Sequence, residues 1–282
     1  MKLAVAGKGG VGKTFVAGVL ASFFVRRGLK TIAIDADPSP NLALTLGVPP
    51  EQARAIVPIS ENARLIASKT GTEHSGVYRL SFKVDDIVEK YSVATSAGVH
   101  LIVMGMVRSA NSGCTCPANA VVRALLRHLI VERDEVVLLD MEAGVEHLGR
   151  GTASQVDIML VVTDANIKSL ETAVHIRNLA TAAGITQVLL IGNKIANEPQ
   201  KDTIRKYAEN NGLHLLGLVP FDSKVQEAEM LGFTPLKHPD SAAVQTIEEL
   251  GATLLQSKQK PYVHARSARE YTKRQKKSNW KA

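Results

Sequence analysis

Between the apolar stretch KLAVAG and a long apolar segment starting at Phe15 lies Gly7-Lys8-Gly9-Gly10-Val11-Gly12-Lys13-Thr14. The spacing is G-x-x-x-x-G-K-T, and no other feature constrains the fold as much. The loop needs a buried strand before it and a helix after it. Gly7, Gly9, Gly10 and Gly12 let the backbone turn its N–H groups inward around phosphate oxygens, with Val11 between them. The helix N-terminus adds a positive dipole end. Lys13 brings a point charge to the β- and γ-phosphates, and the Thr14 hydroxyl is suited to Mg²⁺.

The rest of the chain repeats that alternation. After KLAVAG, strands are expected at KTIAID, VHLIVMGM, EVVLLD, DIMLVVTD, QVLLIGNK and LHLLGLVP. Helices are expected through Arg27, at VDDIVEKY, from Pro117 along ANAVVRALLRHLIVE, and over about 168–183, 199–211, 223–231 and 241–256. Continuous apolar strands alternating with helices predict an α/β fold, a mostly parallel central sheet with helices on both faces. One P-loop domain over 1–256 and a basic tail over 257–282 is the simplest division. The net charge is +7, yet residues 257–282 carry nine Lys/Arg against Glu270 alone, so the body is close to −1. The apolar run from Phe15 to Val25 is too short to span a bilayer. No leader pattern precedes the first strand, so a cytoplasmic protein is expected.

Lys8 is not required by a plain phosphate cradle. With it, GKGGVGKT resembles the deviant Walker A loop of the MinD/ParA/nitrogenase-iron-protein class of P-loop ATPases. That resemblance implies ATP sandwiched between two subunits, with Lys8 reaching the partner's nucleotide. IDADPSPN then matches switch I. Asp37 corresponds to the residue that orients or activates the attacking water, Asn41 to the polar residue after it, and Asp35 is placed to help hold the Mg²⁺ shell. VVLLDMEAG is similar to a Walker B strand ending at Asp140, which would contact Mg²⁺ through water, with Gly144 at the switch II glycine spacing. These implied roles make Lys8, Lys13 and Asp37 the catalytic set. Phe15 departs from the small polar residue common after G-K-T, and faces either the helix core or the nucleotide.

Asn193-Lys194 closes a later strand as N-K-x-D does in GTPases, but Ala196 replaces the carboxylate that would hold guanine. Asn193 can hydrogen-bond an adenine, and VPFD around Pro220 can wall it. ATP and ADP are therefore expected rather than GTP.

The only two cysteines, Cys114 and Cys116, sit in NSGCTCPANAV. In a cytoplasmic protein a close pair is more often a metal or redox site than a disulfide, and two inert buried thiols are the bland alternative. One C-x-C supplies two thiolates, and two copies about a twofold axis supply four, enough for planar Ni²⁺ or tetrahedral Zn²⁺. MEAGVEHLGRGT has no cysteine, which disfavours a cluster of the nitrogenase-iron-protein type. MKLAVAGKGGVGKT, DADP, the C-x-C and DMEAGVEHLGRGTASQVD together resemble the carbon monoxide dehydrogenase accessory ATPases. The resemblance implies a homodimer promoted by ATP and metal, and Ni²⁺ bound by Cys114 and Cys116 of both subunits with Zn²⁺ able to occupy the same site. It also implies a client that is carbon monoxide dehydrogenase or acetyl-CoA synthase. His147 is either a third ligand or, more often for a lone histidine, structural. A positioning ATPase of the partition or septum-site type is the alternative. Nucleic acid or membrane is not expected as a partner, apart from a contact of the tail, whose Tyr262, Tyr271 and Trp280 interleave with lysines.

Overall fold

The computed structural model describes residues 1–37, 39–71, 78–79, 82–105, 117–133, 135–141 and 150–259. Eight strands form one sheet: β1 (Lys2–Gly7), β2 (Thr31–Asp35), β3 (Val93–Ala94), β4 (His100–Val103), β5 (Val136–Asp140), β6 (Ile158–Thr163), β7 (Val188–Ile195) and β8 (His214–Pro220). Their order is β3-β4-β2-β5-β1-β6-β7-β8. All neighbours are parallel except β3 against β4. Every residue of β1, β2, β5 and β6 is buried, as strands covered on both faces must be.

Helices α1 (Lys13–Arg26), α2 (Leu42–Thr45), α3 (Pro50–Ala55), α4 (Ala63–Thr70), α5 (Ile87–Tyr91) and α6 (Pro117–Arg127) precede α7 (Arg150–Ala153), α8 (Ile167–Ala182), α9 (Glu198–Asn210), α10 (Ser223–Met230) and α11 (Ala242–Gln259). One core lies under α6, α8 and α9, the other under α1, α2 and α11. Helix α1 is buried nearly all round because it is held between the sheet and α11. Gly251 allows that contact, since a Cβ there would lie 2.7 Å from Phe23 Cδ1.

The strand and helix expectations hold in kind. VHLIVMGM is strand only as far as Val103, and β3 is too short to leave a pattern. Helix α6 starts at Pro117 as expected, then widens into a π-helical turn, His128–Glu132. The Lys2 ammonium closes that turn, donating to the carbonyls of Leu129, Arg133 and Glu135. Helix α11 runs to Gln259, three residues past the expected boundary at 256. Among the described residues no helix is long and apolar enough to cross a membrane.

The chain leaves β1 toward β2 and later builds β6 to β8 on the other side. The C-terminal end of β1 is thus where strand order reverses, the place where open α/β sheets bind ligands. The phosphate loop occupies it.

Candidate nucleotide site

Strand β1 delivers Gly7 to the sheet edge and α1 begins at Lys13, with Gly12 between them in the left-handed region, φ 91°. No backbone N–H from Gly9 to Thr14 donates to an acceptor among the described residues. Groups left this way at a helix start are the donors a phosphate needs. Gly9 and Gly10 are exposed, and Lys8 is half-buried. Lys13 is buried, its Nζ donating to the Lys8 carbonyl at 3.4 Å. Such a long bond leaves the ammonium available to a phosphate.

Strands β2 and β5 bring two carboxylates to the same edge, since Asp35 and Asp140 are paired across the ladder. Asp140 is 1% exposed, and among the described residues neither of its carboxylate oxygens meets a donor at hydrogen-bond geometry. Burial pushes its pKa up to about 7. The Thr14 hydroxyl pulls it back, Asp35 pushes it further, and the Lys13 ammonium pulls it back again. A buried carboxylate with both oxygens unused, beside a Thr14 hydroxyl, fits a hydrated Mg²⁺ ion that accompanies a nucleotide.

Asp35 behaves differently. Its Oδ1 accepts from the Asp37 N–H at 3.2 Å and its Oδ2 from the Leu42 N–H at 2.9 Å. Both oxygens are spent on closing the loop between β2 and α2, so Asp35 staples that loop at its two ends. Burial still raises its pKa to about 6 against those two N–H groups. Asp37 lies on that loop with its Oδ1 accepting from the Ser39 N–H. Asn41 is exposed and donates to the Ser39 carbonyl.

Asn193 is 3% exposed, and its Nδ2 donates to the Val11 carbonyl at 2.8 Å. One of its amide N–H groups therefore holds the phosphate loop. Lys194, at φ 60°, turns back and donates from Nζ to the Gly10 carbonyl at 2.8 Å. Pro220 ends β8 next to this pair, where the Phe221 N–H donates to the Ile195 carbonyl. The Phe15 side chain is 5% exposed and packs in the core under α1, which decides the sequence alternative for that side chain in favour of the core. Cys114, Cys116, Gly144 and His147 lie outside the described residues. Among those described, no group of three or more His, Cys, Asp or Glu side chains is placed to hold a metal.

Two roles escaped the sequence reading: the loop-closing bonds of Asp35 and the return of Asn193-Lys194 to the phosphate loop. For Asp35 the signal was present as an Asx-type Asp-x-Asp before a helix start. For Asn193 there was none, because Val11 is 182 positions away.

These features define a P-loop nucleotide-binding protein with two buried carboxylates at the edge of the site. The chain belongs to the CobQ/CobB/MinD/ParA nucleotide binding domain family, whose profile matches residues 2–235. Within it, the chain is 45% identical over 236 residues to the carbon monoxide dehydrogenase accessory protein CooC of Rhodospirillum rubrum, covering 83% of this chain and 89% of that protein. It is 44% identical over 256 residues to an uncharacterised ATP-binding protein of Methanocaldococcus jannaschii, covering 89% of this chain and 96% of that one. The fold is similar to the septum site-determining protein MinD of Pyrococcus horikoshii, solved with Mg-ADP. The TM-score is 0.62 with 20% identity, covering 90% of this chain and 95% of that chain. The chain is thus a P-loop ATPase.

The two loop lysines should separate by experiment. Lys13→Ala removes the buried cation and is expected to weaken ATP binding by one to two orders of magnitude, ~2–3 kcal/mol for a charge-assisted contact. Lys8→Ala should leave affinity within about threefold, since only its carbonyl serves the loop, while slowing turnover. Isothermal titration with ATP, next to phosphate release, reads both. Equal loss of affinity in the two variants refutes a separate role for Lys8.

Proposed function

We propose that this chain is a dimeric, ATP-driven metallochaperone that delivers nickel during maturation of carbon monoxide dehydrogenase or a related acetyl-CoA synthase. The observation that carries the reading is 45% identity to CooC along 83% of the chain. The nucleotide site described above and the pair Cys114-x-Cys116 support it. Nickel is cargo here, held by two thiolates from each of two copies. Each cysteine must ionise before it binds, so loading releases protons.

In the hydrolytic step, water adds to the γ-phosphorus and ADP leaves with the electrons of the broken P–O bond. Asp37, on the loop closed by Asp35, orients the water. Lys13 and the loop N–H groups stabilise charge on the phosphate oxygens, and Lys8 of the other copy adds a second cation. Asp140 and Thr14 would hold Mg²⁺, which supplies further charge neutralisation when bound with the nucleotide. Hydrolysis would release the switch loop, part the subunits and free the metal.

The test is titration of the reduced protein with Ni²⁺, read together with molecular mass, with and without ATP. One metal per dimer is expected, with Zn²⁺ competing. Cys114→Ser or Cys116→Ser should abolish metal binding and leave ATP affinity unchanged. One metal per monomer in a chain that stays monomeric, or full binding by the double variant, rejects the proposal in favour of a positioning ATPase.

A further inference from the structure

The exit of α10 is the most apolar exposed corner of the described surface. Met230 is 80% exposed, Leu231 61% and Phe233 59%, within four positions at the helix end. Three side chains of this size expose on the order of 300 Å² together, the scale at which a patch on a monomer is often functional. The corner is tied to the nucleotide site. Thr234, next in the chain, is buried and donates from Oγ1 to the Thr45 carbonyl at 2.5 Å. Thr45 ends α2, the one-turn helix whose start is held by Asp35. The surrounding segment, 221–240, carries Asp222, Glu227, Glu229 and Asp240 against Lys224 and Lys237, a net of −2. Asp240 pairs with Lys224, while Glu227 and Glu229 stand beside the apolar residues.

The C-terminal 23 residues, 260–282, complement this corner. They carry eight Lys/Arg against Glu270, a net of +7, interleaved with Tyr262, Tyr271 and Trp280. They are also within reach. Helix α11 starts beside α10, where Ser241 Oγ donates to Asp222, the N-cap of α10. Its 18 residues carry the chain about 27 Å away. Returning that distance, plus the roughly 12 Å length of α10 from Asp222 to its exit, takes about twelve extended residues, about half of those available.

We propose that the C-terminal segment of this chain docks on the apolar, acidic exit of α10, with its aromatic side chains on Met230, Leu231 and Phe233 and its cations beside Glu227 and Glu229. Docking there covers a corner coupled to switch I through Thr234, Thr45 and α2. Trp280 is the only tryptophan, so its fluorescence in the full-length chain reports the contact directly.

The wild-type emission should be that of a partly buried indole, independent of protein concentration and moved toward the hydrated value by salt. Met230→Ser with Leu231→Ser and Phe233→Ser, all exposed positions, should shift it to the hydrated value and raise acrylamide quenching at least twofold. Lys276→Glu with Lys277→Glu, which leaves the folded body untouched, should do the same. A hydrated Trp280 in the wild type, or the same emission and quenching in wild type and both variants, overturns the proposal and leaves the corner open to an external partner. Emission that changes on dilution overturns docking within one chain and assigns the segment to a second copy.

Discussion

Asp140→Asn should make the nucleotide-free protein more stable at pH 8 while removing nearly all of its ATP hydrolysis. The carboxylate is buried with both oxygens unpartnered among the described residues, and its pKa stands at about 7 against an ordinary 3.8. A raised pKa means that the folded protein keeps this proton between about pH 4 and 7 while the unfolded chain loses it. The folded state then binds more protons, so stability falls as pH rises through that window and levels off above it. A shift of this size corresponds to on the order of 4 kcal/mol. Asp35, raised to about 6, adds to the same slope. The amide in Asp140→Asn cannot ionise, so the variant should match wild type near pH 4 and exceed it by a few kcal/mol at pH 8. Denaturant midpoints across pH, with chelator present, read this out. On the proposed role of Asp140 toward Mg²⁺, hydrolysis should fall by at least a hundredfold, because the amide carries no negative charge and only one oxygen. Equal pH slopes in the two proteins would show that Asp140 is not the destabilising charge.

The second large effect is expected from Gly12→Ala. Gly12 stands at φ 91°, and a Cβ on it would lie 2.3 Å from Asn193 Nδ2. Alanine in that conformation costs ~1–2 kcal/mol. Asn193 must also move, breaking its bond to the Val11 carbonyl and leaving buried polar groups unpaired, at ~1–3 kcal/mol. The variant should therefore lose ~2–5 kcal/mol of stability and bind ATP at least a hundredfold more weakly, since the loop can no longer hold its cradle. Gly9→Ala is the control: nothing lies within 4 Å of a Cβ there, and its φ is not in the left-handed region. Similar stability losses at both positions would rule out the Asn193 clash as the cause. Thermal melts with and without ATP measure each effect.

The phosphate loop was legible because its chemistry is local. Eight consecutive residues carry the glycines, the cation and the hydroxyl, and a buried strand before them with an apolar helix after them is visible as runs of hydrophobic residues. The parallel sheet was legible for the same reason, since strands buried on both faces must be apolar without alternation. Strand β3, two residues long, and the short helices between 42 and 70 were not legible, because pieces of this length have no period to detect, whereas α5 falls inside the expected VDDIVEKY.

What the sequence by itself determined is the class of fold, the place of the phosphate and the kind of groups around it. The tertiary structure alone decided how those groups are used. Asp35 and Asp37 look equivalent in DADP, yet the ladder buries Asp35 opposite Asp140 and spends its oxygens on the Asp37 and Leu42 N–H groups. Asn193 reads as a base-binding residue, yet β7 lies one strand from β6 and two from β1, which puts its amide on Val11. The reason is physical. A motif fixes chemistry along the chain, whereas burial and hydrogen-bond partners follow from which strands become neighbours, a choice made by the packing of the whole sheet.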